Sequence, residues 1–368
     1  MAQNKPLHRP CVERMVPYKP GKPIDEVRRE FGLERIIKLA SNENPLGPSP
    51  LAIEAMERAV REVRLYPDDG CFYLTRKLAE HWNVPEEWIV VGRGSDEVIH
   101  LLGLAFLNPG EEVIMAEPPF ALYPATATAM DCVQVRIPLK DHVHDLEAMA
   151  SAITPKTKLI FISNPDNPTG TIVVREELEQ FLDRVPETCI TVLDEAYYEY
   201  VDDPRYPDSL HYVREGRNVV VLRTFSKIYA LAGLRVGYGI IPAHLVEAVR
   251  KMRPPFNVSN VGQAAALASL GDPEQVRRGR EVNAAGRAYL FEQFRRLGLR
   301  AVPTQANFVW VDLGVDCVAA FEQLLRRGVI VRTGDIFGAP TFARVTIGTQ
   351  EENEIFISAL EQVLEQLR

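Results

Sequence analysis

Five short apolar runs, at residues 88–91, 112–115, 158–162, 189–193 and 219–222, recur along the middle of this chain with helix-patterned stretches between them. None of the five alternates polar with apolar residues, which is the mark of a strand with one wet face. Strands apolar throughout must be covered on both sides, and a mostly parallel sheet with helices on each face does this. Residues 96–107 and 175–184 suit such helices, and residues 51–63 have helical spacing behind Pro50. The expected fold is α/β, with a three-layer large domain built on a mostly parallel sheet.

After Arg235 the texture changes. Residues 236–241 read as one more strand, 274–297 as a long helix, 308–311 and 329–331 as shorter strands, and 351–367 as a closing helix. This predicts a second, smaller α/β domain. The first 50 residues, with Pro17, Pro20, Pro23, Pro45 and Pro48 among polar groups, read as an extended arm with turns. The expected organisation is an arm over 1–50, a large domain over 51–264 and a small domain over 265–368. A length of 368 residues suits about two domains.

The formal net charge of -8 argues against a large nucleic-acid footprint, although a local basic pocket can sit on an acidic protein. Cys11, Cys71, Cys132, Cys189 and Cys317 are scattered, without the close spacing of a zinc site. They read as thiols in a reducing compartment. No run of 18 apolar residues is present, so neither a membrane partner nor any location but the cytoplasm is expected. His142 and His144 lie in a polar loop with no matching carboxylate pattern, and no metal is expected there.

In an open parallel sheet, ligands bind beyond the carboxyl ends of the strands. The five strand ends here carry Gly92 to Glu97 (GRGSDE), Glu117 to Phe120 (EPPF), Ser163 to Gly170 (SNPDNPTG), Asp194 to Tyr197 (DEAY) and Thr224 to Lys227 (TFSK). Lysine is strongly hydrated and is rarely found straight after a buried strand. Between hydroxyl residues, with Arg235 eight positions on, Lys227 is placed to form a Schiff base with a carbonyl cofactor whose phosphate binds alongside. Pyridoxal phosphate has both groups. Gly92-Arg93-Gly94 resembles the start of a dinucleotide fingerprint, but Glu97 occupies its third glycine position. Gly94, Ser95 and Asp96 at a helix start suit a single phosphate better; the ordinary alternative is a helix cap. Asp194, ending a buried strand, needs a partner, and a pyridinium nitrogen is a fitting one. Taken alone, it reads more simply as half of a structural salt bridge. Tyr197 and Asn167 have hydrogen-bond donors for the cofactor's phenolic oxygen, and Phe120 suits stacking on its ring or plain core packing. Arg344 and Arg332, in apolar strand-like settings, suit a carboxylate or phosphate, with surface salt bridges as the alternative.

Together these motifs resemble the fold-type I pyridoxal phosphate aminotransferases (class I/II) over nearly the whole length. The specific signals are residues 164–170, 194–197 and Ser226-Lys227 with Arg235. Further parallels, at residues 41–47, 66–68, 94–97 and 344–349, lie with the branch acting on histidinol phosphate. The resemblance implies transamination between histidinol phosphate and 2-oxoglutarate or glutamate. An aromatic amino-acid aminotransferase is the alternative, followed by a decarboxylase of a phosphorylated amino acid. It implies that Lys227, Asp194 and Tyr197 are catalytic, and that Gly94, Ser95, Asp96, Thr224, Ser226 and Arg235 hold the phosphate. It further implies that Tyr18, Asn44, Arg332 and Arg344 bind substrate. A homodimer with shared active sites is implied too, Tyr66 reaching the phosphate bound by the partner. Two positions depart from the family: Phe120, where tyrosine is frequent, and Thr333, where proline is common.

Overall fold

The computed structural model describes residues 7–17 and 21–368. Tyr18 therefore lies outside the described residues. Twelve strands are present among those described: β1 (Ile37–Leu39), β2 (Ile89–Gly92), β3 (Glu112–Glu117), β4 (Val133–Pro138), β5 (Thr157–Ser163), β6 (Ile190–Asp194), β7 (Val219–Thr224), β8 (Gly237–Ile240), β9 (Arg300–Val302), β10 (Phe308–Asp312), β11 (Val329–Thr333) and β12 (Phe342–Thr346). The helices in chain order are α1 (Ile24–Phe31), α2 (Pro50–Ala59), α3 (Phe72–Trp82), α4 (Ser95–Phe106), α5 (Leu122–Ala129), α6 (Leu146–Ser151), α7 (Arg175–Leu182), α8 (Ser209–Arg214), α9 (Ala243–Met252), α10 (Asn260–Ser269), α11 (Pro273–Arg296), α12 (Cys317–Arg326) and α13 (Gln350–Leu367).

Seven strands form the large sheet in the order β2-β8-β7-β6-β5-β3-β4. All neighbours are parallel except β8, which runs antiparallel to both β2 and β7. Successive residues of one strand enter opposite cores. Val220 and Leu222 pack with Val98, Leu102 and Val249 of α4 and α9, whereas Val219 and Val221 join Leu78, Leu178 and Leu210 of α3, α7 and α8. That division makes three layers, and it explains why these strands lack polar alternation: a side chain of either parity is buried. Each such valine or leucine contributes about 1.5–3 kcal/mol.

The second sheet, β1-β11-β12-β10-β9, carries α11, α12 and α13 over its own core of Leu290, Phe294, Phe356 and Leu360. It is antiparallel apart from the pairing of β1 with β11. Helix α13 begins in a capping box in which Thr349 and Glu352 satisfy each other's backbone N–H groups.

Three elements differ from the sequence reading. Residues 24–31 and 37–39 are not extended arm: α1 buries Val27 against Ile330 and Leu325, and β1 adds an edge strand to the second sheet. The prolines that suggested an arm lie on either side of these two elements, not within them. Strand β4 was not expected, because it is an outer-edge strand, VQVRIP, in which Gln134 and Arg136 interrupt the apolar residues and none is fully buried. Among the described residues no helix is long and apolar enough to cross a membrane.

One close approach sets the geometry at the mouth of the sheet. Gly237 opens β8 directly against the backbone of Gly94 and Ser95, where a Cβ would overlap the Ser95 nitrogen and come 3.0 Å from the Gly94 Cα. Gly94 itself has φ +82°, a conformation glycine adopts without strain. Gly237→Ala should therefore cost about 1–3 kcal/mol, whereas Gly233→Ala, with open space around its Cβ, should stay within about 0.5 kcal/mol. Chemical denaturation of the two variants checks the contrast.

Candidate active site

The carboxyl ends of β5, β6 and β7 meet the start of α4 and the cross-strand arginines of the second sheet around a cavity of about 480 Å³. Ser95, Asp96, Phe120, Asn167, Asp194, Tyr197, Thr224, Ser226, Lys227, Arg235, Arg332 and Arg344 all line it. Residues from sequence positions some 250 apart are thus gathered by topology alone.

Lys227 follows β7 through a tight loop in which the Thr224 hydroxyl accepts from the Ser226 N–H at 3.1 Å. Its Nζ donates to the Ser41 carbonyl at 3.2 Å and lies 5.6 Å from the centre of the Tyr197 ring. Burial, with Arg344 and Arg235 nearby, lowers its pKa to about 8. A lysine in that state has an appreciable free-base fraction near neutrality, as a nucleophile or proton carrier requires.

Asp194 ends β6 almost fully buried. It accepts from the Tyr123 hydroxyl at 2.9 Å and the Ala196 N–H at 3.3 Å. Burial raises its pKa to about 6 against those two bonds. No arginine or lysine forms an ion pair with it among the described residues, so the sequence-level alternative of a salt bridge is not what the structure contains. A buried carboxylate with no ion-pair partner among the described residues suits a protonated ring nitrogen. Tyr197 receives a hydrogen bond on its hydroxyl from Asn42 Nδ2 at 2.9 Å, and burial raises its pKa to about 12.

At the other end, Gly94 and Gly237 bring the first N–H groups of α4 beside Arg235, Thr224 and Ser226. A Cβ on Gly94 would come within 2.6 Å of Arg235 Nη2, so the glycine keeps the cradle open. Arg235 donates to Asp96 Oδ1 at 2.9 Å and to the Ser226 hydroxyl at 3.4 Å. Helix N–H groups, two hydroxyls and a guanidinium make a donor set for a compact dianion. Glu97, which breaks the dinucleotide fingerprint, accepts from the Arg93 N–H at 2.7 Å and turns the chain into α4.

Arg332 and Arg344 are direct partners on the antiparallel strands β11 and β12. Arg344 donates to Asn167 Oδ1 at 2.5 Å and to the Ala40 carbonyl at 2.8 Å. Two like charges side by side are unfavourable in a sheet, and an anion between them offsets that cost. Both also line an adjoining cavity of about 480 Å³ walled by Pro118, Phe120, Ile336 and Phe337.

Two assignments stand elsewhere. Asn44 does not line the central cavity. Its Nδ2 donates to the Ile228 carbonyl and its Oδ1 accepts from the Leu46 N–H, so both ends are used in the turn, and Ser41, Asn42 and Glu43 face the cavity instead. Tyr66 is 82 % exposed and stacks on Phe256 at 4.7 Å, away from this chain's own cavity. The sequence reading missed Tyr123 and Asn42. Tyr123 lies three residues beyond Phe120 and so meets the same sheet end, a spacing that could have flagged it. Asn42 has φ 58°, a conformation asparagine tolerates, but no local pattern announces its reach to Tyr197.

A further cavity of about 490 Å³, between residues 141–143 and 300–305, contains neither a lysine nor a buried unpaired acid. Chemistry, rather than size, marks the site.

Residues 34–360 match the family described as aminotransferase class I and II. A histidinol-phosphate aminotransferase of Moorella thermoacetica is 51 % identical over 360 residues, covering 98 % of this chain and 93 % of the relative. That of Caldicellulosiruptor saccharolyticus is 46 % identical, covering 97 % of this chain and all of the relative. Among solved structures, the histidinol-phosphate aminotransferase of Sinorhizobium meliloti in complex with pyridoxal 5'-phosphate superposes with a TM-score of 0.90 at 26 % identity, covering 98 % of each chain. Aspartate aminotransferase from Thermus thermophilus with maleate gives 0.83 at 26 % identity, over 97 % of this chain and 99 % of the other. With a sheet that ends in a lowered-pKa lysine, a buried acid and an anion cradle, and with matches of this extent, the chain belongs to the class I and II aminotransferase family.

Proposed function

We propose that this chain is a pyridoxal phosphate-dependent transaminase that exchanges the amino group of histidinol phosphate with 2-oxoglutarate or glutamate, a step of histidine biosynthesis. The observation that carries the reading is one cavity holding Lys227, a buried Asp194 that forms no ion pair among the described residues, and the Ser95–Thr224–Ser226–Arg235 donor set. These residues fit the cofactor's three polar ends: aldehyde, ring nitrogen and phosphate.

When bound, pyridoxal phosphate supplies the carbonyl that captures the amine and the electron-withdrawing ring that makes the neighbouring C–H bond acidic. The remaining work belongs to the chain. Asp194, whose carboxyl burial raises to about 6, would face the ring nitrogen and favour its protonated form. Tyr197, steadied by Asn42, and the Asn167 side chain would donate towards the phenolic oxygen, and Phe120 would wall one ring face. The Lys227 Nζ would take the proton from the amine-bearing carbon of the substrate and deliver it across the transferred nitrogen to the carbon that was the cofactor's aldehyde, first as base and then as acid. Arg344, with Arg332, receives the anionic group: a carboxylate of glutamate or the phosphate of histidinol phosphate. One guanidinium fork serves both.

We further propose a homodimer in the cytoplasm. Support comes from Val60, Val63, Leu65, Tyr66, Phe72 and Tyr73, which are exposed along one stretch as a surface awaiting a partner. Tyr66 would reach the phosphate in the partner's site from there, and the arm containing Tyr18 would cover the substrate. Five free, buried thiols suit a reducing compartment.

Lys227→Ala should abolish the visible absorbance of the lysine-linked cofactor and lower turnover by about 10²–10⁴-fold or more; full turnover would sink the assignment. Single-turnover rates should favour histidinol phosphate over phenylalanine, and the reverse order would transfer the reading to an aromatic amino-acid aminotransferase. Arg344→Lys keeps the charge but loses the fork, so KM should rise about 10- to 100-fold for both histidinol phosphate and glutamate. Because only the free-base amine attacks a carbonyl, the rate at which apoprotein combines with pyridoxal phosphate should climb as pH rises through about 8, and stopped-flow absorbance measures this.

A further inference from the structure

Behind the cavity, on the opposite face of the same strand ends, lies a buried ion pair with no direct part in the chemistry above. Arg223 is the penultimate residue of β7 and Glu195 follows the last residue of β6; their side chains are 2 % and 0 % exposed. Arg223 donates from Nε and Nη2 to Glu195 Oε2, at 3.0 and 2.7 Å. Its guanidinium is stacked between two rings, 3.5 Å from the centre of Tyr198 and 3.8 Å from that of Trp82. The Tyr206 hydroxyl donates to the Asn164 carbonyl just past β5 and lies 3.3 Å from the second Glu195 oxygen, so its single proton is shared between the two acceptors.

Removing two ions from water is costly, and an apolar pair of similar shape generally serves stability as well or better. Stability alone therefore gives a weak reason for an arginine and a glutamate amid the valines and leucines of this layer. Geometry gives a stronger one. Glu195 is the direct neighbour of Asp194, Arg223 of Thr224, and Asn164 opens the loop that holds Asn167. The backbone repeats the connection: Glu195 N–H donates to the Leu222 carbonyl and Asn164 N–H to the Asp194 carbonyl, both at 2.9 Å. The network thus joins the ends of β5, β6 and β7, which present Ser163, Asp194 and Thr224 to the cavity. Neither Arg223 nor Glu195 lines the cavity.

We propose that Arg223 and Glu195 are a positioning pair, which fixes the carboxyl ends of β5, β6 and β7 against one another and so sets the separation of Asp194 from Lys227. The inference rests on the cofactor reading above, since that reading gives the separation its meaning. A guanidinium held by a fork on one edge and by rings on both faces is constrained in translation and in tilt, as a lysine ammonium would not be.

The test uses the full-length holoenzyme. Arg223→Met alone strands a buried carboxylate and is expected to lower the melting temperature severely; the double variant Arg223→Met/Glu195→Leu removes both charges and should recover most of that loss. Tyr206 retains the Asn164 carbonyl as its acceptor in the double variant. In that variant kcat should fall about 10- to 100-fold with little change in KM for histidinol phosphate, the signature of misplaced reacting groups rather than weakened substrate binding. Titration of pyridoxal phosphate into the apoprotein, followed by fluorescence quenching, should give a correspondingly weaker dissociation constant. Arg223→Lys, which keeps the charge without the fork or the stacking face, should share the fall in kcat, and it carries the test if the double variant does not fold. Wild-type kcat and wild-type cofactor affinity in the folded double variant, or wild-type kcat in the lysine variant, would overturn the proposal. Failure of the wild-type protein itself to bind pyridoxal phosphate would instead overturn the cofactor reading, so the two failures are distinct.

Discussion

Burial of the large sheet on both faces confines its polar chemistry to the strand ends, and most of the site follows from that confinement. Strands β5, β6 and β7 are sealed along their lengths by valine, leucine, isoleucine and phenylalanine. Where they emerge, an ionisable side chain is still close enough to the low-dielectric layer to lose hydration. The same desolvation acts with opposite sign on opposite charges: it lowers Lys227 to about 8 and raises Asp194 to about 6. Neither residue is tuned chiefly by a dedicated neighbour. Their position at the end of a buried strand does most of it.

The site is completed by parts that the large sheet does not supply. Arg344 on β12 reaches Asn167 in the loop after β5 and the Ala40 carbonyl just after β1. Asn42 bridges to Tyr197 on one side and to the Thr346 hydroxyl, at 3.1 Å, on the other. Residues 40–43 thus form a seam between the two sheets, with the Ser41 carbonyl holding the lysine. Any relative movement of the sheets is transmitted to the Tyr197 hydroxyl and the Lys227 amine through this seam.

What the sequence displays of this arrangement depends on range. The five apolar runs appear as strands β2, β3, β5, β6 and β7, because burial on both faces is written into consecutive residues. Their end motifs are legible for the same reason, being short and contiguous: Lys227, Asp194, Asn167 and Arg235 could be named in advance and all meet in one cavity. Contacts that join distant segments are not legible. Strand β1 is three residues whose partner is almost three hundred positions away, and Asn44 looks equivalent to Asn42 until the turn points one at Ile228 and the other at Tyr197. Arg223 was hidden inside a strand motif. Nothing local marks it out, and only side-chain parity sends it to the face opposite Thr224.

The pairing of β1 with β11 makes the second sheet a product of both ends of the chain, with the entire large sheet inserted between them. During synthesis, Ile37–Leu39 must wait for some 290 further residues before its partner strand exists, so that sheet closes late and by a non-local contact. Until it does, the hydrophobic edge of Val329–Val331 has no neighbour on that side, and an uncovered edge is a template for pairing between chains. A fragment starting after the large sheet would keep its helices and most of its core but bare this edge permanently. Its predicted weakness is self-association, not failure to form secondary structure.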